Sequence, residues 1–183
     1  KVIKPSFKND ERALIDFIRE ARITAMLEHP NIIPVHELGL SYETGLFFTM
    51  KLMQGEPLNY ILNEIKKGNA AYQEKYNEYS LMNIFRKICD AVDFAHSKNI
   101  IHRDIKPHNV IVGRYGEVLL MDWGLALYIG NPEKEEDPSQ REAFIDILKL
   151  TDKGRNIIQG SPAYMSPEQA EGDSTQLDKK TDI

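Results

Sequence analysis

The chain has 183 residues and a formal charge of −5, from 23 Lys and Arg against 28 Asp and Glu. Hydrophobic residues are 42% and charged residues 28%, so a real core can form and disorder along most of the length is excluded. Mild acidity excludes a general nucleic-acid binder, a single cysteine (Cys89) excludes an internal disulfide or a cysteine-built zinc site, and no apolar run reaches membrane-spanning length. The spacing of Leu14, Ile18, Ala21 and Ala25 predicts a helix over Asp10–His29, capped by Asn9 or Asp10 and ended by Pro30. Pro34–Leu40 and Leu46–Leu52 read as two strands of a hairpin, closed by a polar loop from Ser41 to Gly45.

Leu58–Lys67 reads as a short helix that stops at Gly68. Asn69–Tyr79 is polar and reads as loop, after which Ser80 caps a long helix to about Ser97. Its apolar stripe is Leu81, Ile84, Phe85, Ile88, Val92 and Ala95. Ile100-Ile101, Val110–Val112 and Val118–Met121 are short apolar segments around the polar turn His102–Asn109. The acidic, proline-bounded stretch Asn131–Pro138 is expected to be solvated and mobile. Ser139 and Glu142 have capping-box spacing and open a helix over Gln140–Leu150 with Phe144, Ile147 and Leu148 on one face. One more short helix is expected near Pro167–Glu171.

The densest chemical signal is His102-Arg103-Asp104-Ile105-Lys106-Pro107-His108-Asn109, followed by Asp122-Trp123-Gly124 and then Ser166-Pro167-Glu168. In this order the motifs resemble the eukaryotic-type protein kinase superfamily, with DWG and SPE in place of DFG and APE. The segment Gly160–Ala170 is most similar to bacterial Ser/Thr kinases of the PknB-like group. A lone HRD or Asp-x-Gly is ordinary turn chemistry; the joint, ordered occurrence is what carries the resemblance.

The resemblance implies an α+β protein-kinase-like fold, here partial. Residues 1–53 would be part of a β-rich N-lobe and residues 54–183 the first part of a mainly helical C-lobe. It implies ATP and Mg²⁺ (or Mn²⁺) as cofactors and a protein substrate. Asp104 would orient the acceptor hydroxyl and take its proton, Lys106 would hold the transferred phosphate, and Asn109 and Asp122 would ligate the metal. Lys1 would be the phosphate-binding lysine, paired with Glu20 nineteen residues on, with Lys4 as a rival. Met50 would stand behind the adenine, the backbone of Lys51 and Met53 would meet its edge, and Met53 and Ile111 would line its slot. Phe47 and Phe48 read as plain buried strand residues, and His29 as a turn histidine.

By the same resemblance His102 and Trp123 stack beneath the site, where the indole N–H needs a partner. Gly124–Ser166 would be the activation segment, with Arg103 able to receive a phosphate, Thr151 a candidate phosphosite, and Ser161 contacting Asp104 and Lys106. Asp182 would anchor the catalytic-loop backbone. The family's Gly-rich loop would precede Lys1 and later helices would follow Asp182. The 183 residues are therefore expected to be a fragment that exposes apolar surface on the Leu81–Ser97 helix and is poorly stable and nearly inactive alone. Cytoplasmic placement, with any membrane tether outside this chain, follows from the need for ATP; homodimerisation is one route to activation that the resemblance allows. A pseudokinase scaffold and a small-molecule phosphotransferase are the alternatives. The Gly160–Glu168 segment argues against the second.

Overall fold

The computed structural model describes residues 1–150 and 158–183. Thr151 lies outside the described residues. Lys1, Val2 and Ile3 run antiparallel to a hairpin of β1 (Val35–Ser41) and β2 (Gly45–Met50): Phe48 N donates to Lys1 O at 2.9 Å and Ile3 N to Leu46 O at 3.1 Å. The hairpin turns where expected, at residues 42–44, and Gly45 takes a positive φ of 79° there.

Helix α1 (Glu11–Ala25) is capped by Asp10, whose carboxylate accepts from Arg12 N and Ala13 N at 3.0 and 3.1 Å. It ends at Ala25, short of the expected His29, with Met26 already the C-cap. Its buried face is also rotated from the expected stripe. Phe17, Glu20, Ala21, Ile23 and Thr24 are buried, while Ala25 is exposed and Leu14 and Ile18 only half-buried. An apolar count misses this because a glutamate and a threonine belong to the inner face. Phe17 meets Phe48 with ring centroids 4.9 Å apart, and with Ile3 and Ala21 they form a small core under the hairpin.

After the hairpin come β3 (Gly55–Pro57) and α2 (Leu58–Lys66), which stops at Gly68 with φ 81° as expected. The stretch expected to be loop holds a short helix, α3 (Ala70–Lys75). The long helix α4 (Glu78–Ser97) starts before Ser80: Asn77 is its cap and accepts from Ser80 N at 3.0 Å. Ile84, Ala91, Ala95 and His96 are its buried residues, whereas Phe85 is 59% exposed and leaves the expected stripe.

Strand β4 (Ile100–Ile101) pairs with β7 (Leu127–Tyr128), and β5 (Val110–Gly113) lies between β3 and β6 (Val118–Leu120). The acidic stretch is less free than expected, with a 3₁₀ turn at Pro132–Lys134 that buries Pro132. Helix α5 (Pro138–Lys149) is capped by Asp137, which accepts from Ser139 N at 2.8 Å, so the Ser139–Glu142 box is not used. Phe144 and Ile147 are buried as expected, and Phe144 stacks on Tyr128 at 4.2 Å. Helix α6 (Pro167–Glu171) has a true capping box between Ser166 and Gln169. A larger core joins α2, α4, α5 and the β5–β6 hairpin through Ile61, Ile84, Ile100, Val112, Leu120 and Ile147.

Candidate active site

Two sharp backbone bends build the site. Among the described residues only Asn99, Arg103 and Asp122 carry positive φ without being glycine, and two of these three lie in the sequence motifs. Such a conformation costs of order 1 kcal/mol or more and persists only where the surroundings hold it. At Arg103 (φ 67°) they do so through Asp182, whose carboxylate accepts from Arg103 N at 2.7 Å, from His102 N at 2.8 Å and lies 2.8 Å from His96 Nε2. Burial pushes the Asp182 carboxyl up, but these three hydrogen bonds outweigh it and hold the group below its ordinary value. This is the anchoring expected of Asp182.

The bend aims Asp104 at a compact set of donors. Lys106 Nζ reaches Asp104 Oδ2 at 2.7 Å and Ser161 Oγ at 2.6 Å, and Ser161 Oγ donates to Asp104 Oδ1 at 2.8 Å. Asn109 Nδ2 donates to Asp104 O at 2.8 Å and to Oδ2 at 3.1 Å. Burial raises the Asp104 pKa, and the bonds from Lys106, Ser161 and Asn109 more than reverse that, so the carboxylate stays ionised. The four residues expected together are together, and Ser161 binds both of its expected partners.

His102 is 1% exposed. Its Nδ1 accepts from Asp104 N at 3.2 Å and its Nε2 faces Met121 O at 3.1 Å, which fixes the tautomer with hydrogen on Nε2. Burial lowers its pKa, in keeping with a neutral ring. Trp123 packs against it with centroids 4.5 Å apart, the stacking expected. The indole N–H, however, is buried and without a partner among the described residues, contrary to expectation.

The β5–β6 hairpin returns Asp122 to Asn109: Met121 N donates to Asn109 O at 2.8 Å. Lys1 Nζ binds Glu20 at 2.7 and 2.6 Å and lies 3.9 Å from Asp122 Oδ1. Lys1 therefore takes the position assigned to it, and Lys4 is exposed outside the site. Glu20 is pushed up by burial, an effect the Lys1 charge opposes. No group of three or more His, Cys, Asp or Glu side chains is arranged to hold a metal by itself among the described residues. The donor chemistry still fits a hard divalent cation shared with phosphate oxygens. Asn109 spends its amide hydrogens on Asp104, which leaves its oxygen as a neutral acceptor, and Asp122 offers a half-exposed carboxylate.

Beside Lys1 lies a cleft of about 760 Å³, walled by Met50, Lys51, Met53, Ile111 and Met121, the size of a small-molecule site. All four hinge and slot residues inferred from sequence border it. Phe48 is 1% exposed as expected, while Phe47 is half-buried and faces the cleft. His29 is a turn residue, its Nδ1 accepting from Asn31 N at 3.2 Å.

Three contributors leave no mark in the sequence. His96 sits on Asp182. Gln169 is buried and donates from Nε2 to Arg103 O at 2.7 Å. Gln159 accepts from Arg103 Nη2 at 2.8 Å through Oε1. Polar side chains at single positions carry no periodic signal; only the contact reveals them.

A family model described as the protein kinase domain matches residues 1–183. The serine/threonine-protein kinase PknD of Protochlamydia amoebophila (strain UWE25) is 39% identical over 177 residues, which cover 91% of this chain and 17% of that protein. The protein of the same name from Chlamydia muridarum (strain MoPn / Nigg) is 34% identical over 177 residues, covering 91% and 18%. That of Chlamydia felis (strain Fe/C-56) is 33% identical over 195 residues, covering 100% and 20%. The chain thus spans a fifth or less of the length of these relatives.

Proposed function

We infer, from the premise that this chain belongs to the protein kinase domain family, that it transfers the γ-phosphate of ATP to serine or threonine hydroxyls of a protein. The observation that carries the reading is the hydrogen-bonded set Asp104–Lys106–Ser161–Asn109, facing Asp122 and the Lys1–Glu20 pair. A lysine two residues after the aspartate and the Gly160–Glu168 segment favour a Ser/Thr-bearing protein over a tyrosine or a small molecule.

The cleft between Met50 and Ile111 would take the adenine, with the Lys51 and Met53 backbone at its edge. Lys1, held by Glu20, would neutralise the phosphates. Asn109 and Asp122 would hold Mg²⁺ or Mn²⁺, which offsets the negative charge of the phosphates when bound. Asp104 is ionised and accepts from Ser161. An incoming hydroxyl in that position would donate its proton to Asp104 as its oxygen bonds to the γ-phosphorus and the bond to the ADP oxygen breaks. Lys106 would steady the oxygens in flight.

In lobe terms residues 1–53 would form the smaller part and 54–183 the larger, with the nucleotide between them. A protein acting on ATP would work in the cytoplasm. No helix among the described residues is long and apolar enough to cross a membrane. As part of the same reading, these 183 residues in isolation would transfer little phosphate. A pseudokinase scaffold is the second reading, favoured by the Asp122-Trp123-Gly124 variant, whose indole N–H has no partner among the described residues. The test is phosphate transfer from labelled ATP by the full-length protein beside Asp122→Ala. Nucleotide binding without transfer in the unsubstituted protein would favour the scaffold.

A further inference from the structure

Among the described residues, the Arg103 guanidinium is hydrogen-bonded to neutral groups alone. Its Nε donates to Leu125 O at 2.7 Å and its Nη2 to Gln159 Oε1 at 2.8 Å. Among the described residues, the charges that act on it are Arg19 of α1, which repels it, and Asp182, whose carboxylate is committed to the backbone N–H groups of His102 and Arg103 and to His96. Burial and the Arg19 charge together lower the pKa of Arg103. Arg103 is half-buried, and a charge partly withdrawn from water is held best by an opposite charge. Here a side-chain amide stands where the kinase resemblance would put a phosphate.

That amide closes a ring. Gln169 Nε2 donates both to Arg103 O at 2.7 Å and to Gln159 O at 3.4 Å. Arg103 is therefore fixed at its N–H, its carbonyl and the Nε and Nη2 atoms of its guanidinium, in a strained backbone conformation next to Asp104. The same ring ties down residue 159, two positions before Ser161, which donates to Asp104 Oδ1.

We propose that Gln159 is a positioning residue that locks Arg103, and through it Asp104 and Ser161, into working geometry without a phosphate on the segment. The proposal rests on the kinase reading for its catalytic consequence but not for its geometric one. A lost hydrogen bond to a charged group is worth about tenfold or somewhat more in rate if it is felt wholly in the transition state.

The test uses the full-length protein, treated with phosphatase before assay, as wild type, Gln159→Ala, Gln159→Glu and Asp104→Asn. Phosphate transfer and hydrogen exchange at the amides of residues 102–104 are both read. Expected are a wild-type kcat that survives phosphatase, a drop of about tenfold in kcat for Gln159→Ala with KM for ATP little changed, and faster exchange at residues 102–104. Gln159→Glu, which restores an acceptor for Arg103, should recover most of both. A Gln159→Ala protein within twofold of wild type in rate and exchange overturns the proposal, as does wild-type activity that phosphatase abolishes. If no variant, wild type included, transfers phosphate, the kinase reading fails; the exchange of Gln159→Ala then still decides the positioning role.

Discussion

Removing the Asp182 carboxylate should loosen the bend on which the candidate site is built. Asp182→Ala leaves two backbone N–H groups, of His102 and Arg103, without the acceptors now at 2.8 and 2.7 Å, and strips His96 of its 2.8 Å partner. Each orphaned buried donor costs about 1–3 kcal/mol, so the two amides alone imply about 4 kcal/mol of local stability. Native-state hydrogen exchange of the two amides reads this directly, because 4 kcal/mol is about a thousandfold in protection. The sign with pH follows from the depressed pKa of Asp182, ordinarily 3.8. A carboxylate whose pKa is lower folded than unfolded stabilises above the unfolded value and loses that contribution as pH falls through the folded one. Protection in the unsubstituted protein should therefore hold from neutrality down to the ordinary carboxylate range and fall below it, while Asp182→Ala shows no such fall. A loss under about 1 kcal/mol in Asp182→Ala would refute the reasoning, since water would then replace the carboxylate without cost.

Other outcomes follow from the same contacts. Trp123→Phe should change stability by less than about 1 kcal/mol in chemical denaturation, because the lost packing is offset by removal of a buried N–H that has no partner among the described residues. A cost well above that would mean the indole is bonded. Phe144→Ala, at a side chain 1% exposed and stacked on Tyr128, should cost about 3–5 kcal/mol in the same measurement. Glu20→Gln should lower kcat by about tenfold or more by loosening Lys1, and an unchanged kcat would detach the Lys1–Glu20 pair from catalysis. Because Asp104 is held below its ordinary value of 3.8, the pH–rate profile should have no acidic limb from this residue above about pH 5.

The chemistry is far more legible in the sequence than the packing. Asp104, Lys106, Asn109 and Asp122 declare themselves because few sites need these residue types in this order and at this spacing, and the structure brings them together. Cap residues are harder. Asp137 rather than Ser139, and Asn77 rather than Ser80, take the helix N–H groups, since several hydroxyl and carboxylate side chains compete within three positions. Apolar counting misplaces the face of α1 because Glu20 and Thr24 point inward: Glu20 for Lys1, and Thr24 because its hydroxyl bonds Glu20 O at 2.7 Å. Helix α3 escapes detection because a six-residue element with a single tyrosine and no buried residue has no stripe. Gln159 and Gln169 act through contacts between segments distant in sequence, about which a single residue letter says nothing.

The central claim is phosphate transfer by the Asp104 site. The measurement that tests it most directly is transfer from labelled ATP with Mg²⁺ by the full-length protein, beside Asp104→Asn. Transfer to protein Ser or Thr, reduced by orders of magnitude in the variant, is the predicted result. Equal transfer by both proteins would contradict the assignment of Asp104, and none by the unsubstituted protein would contradict the kinase reading itself.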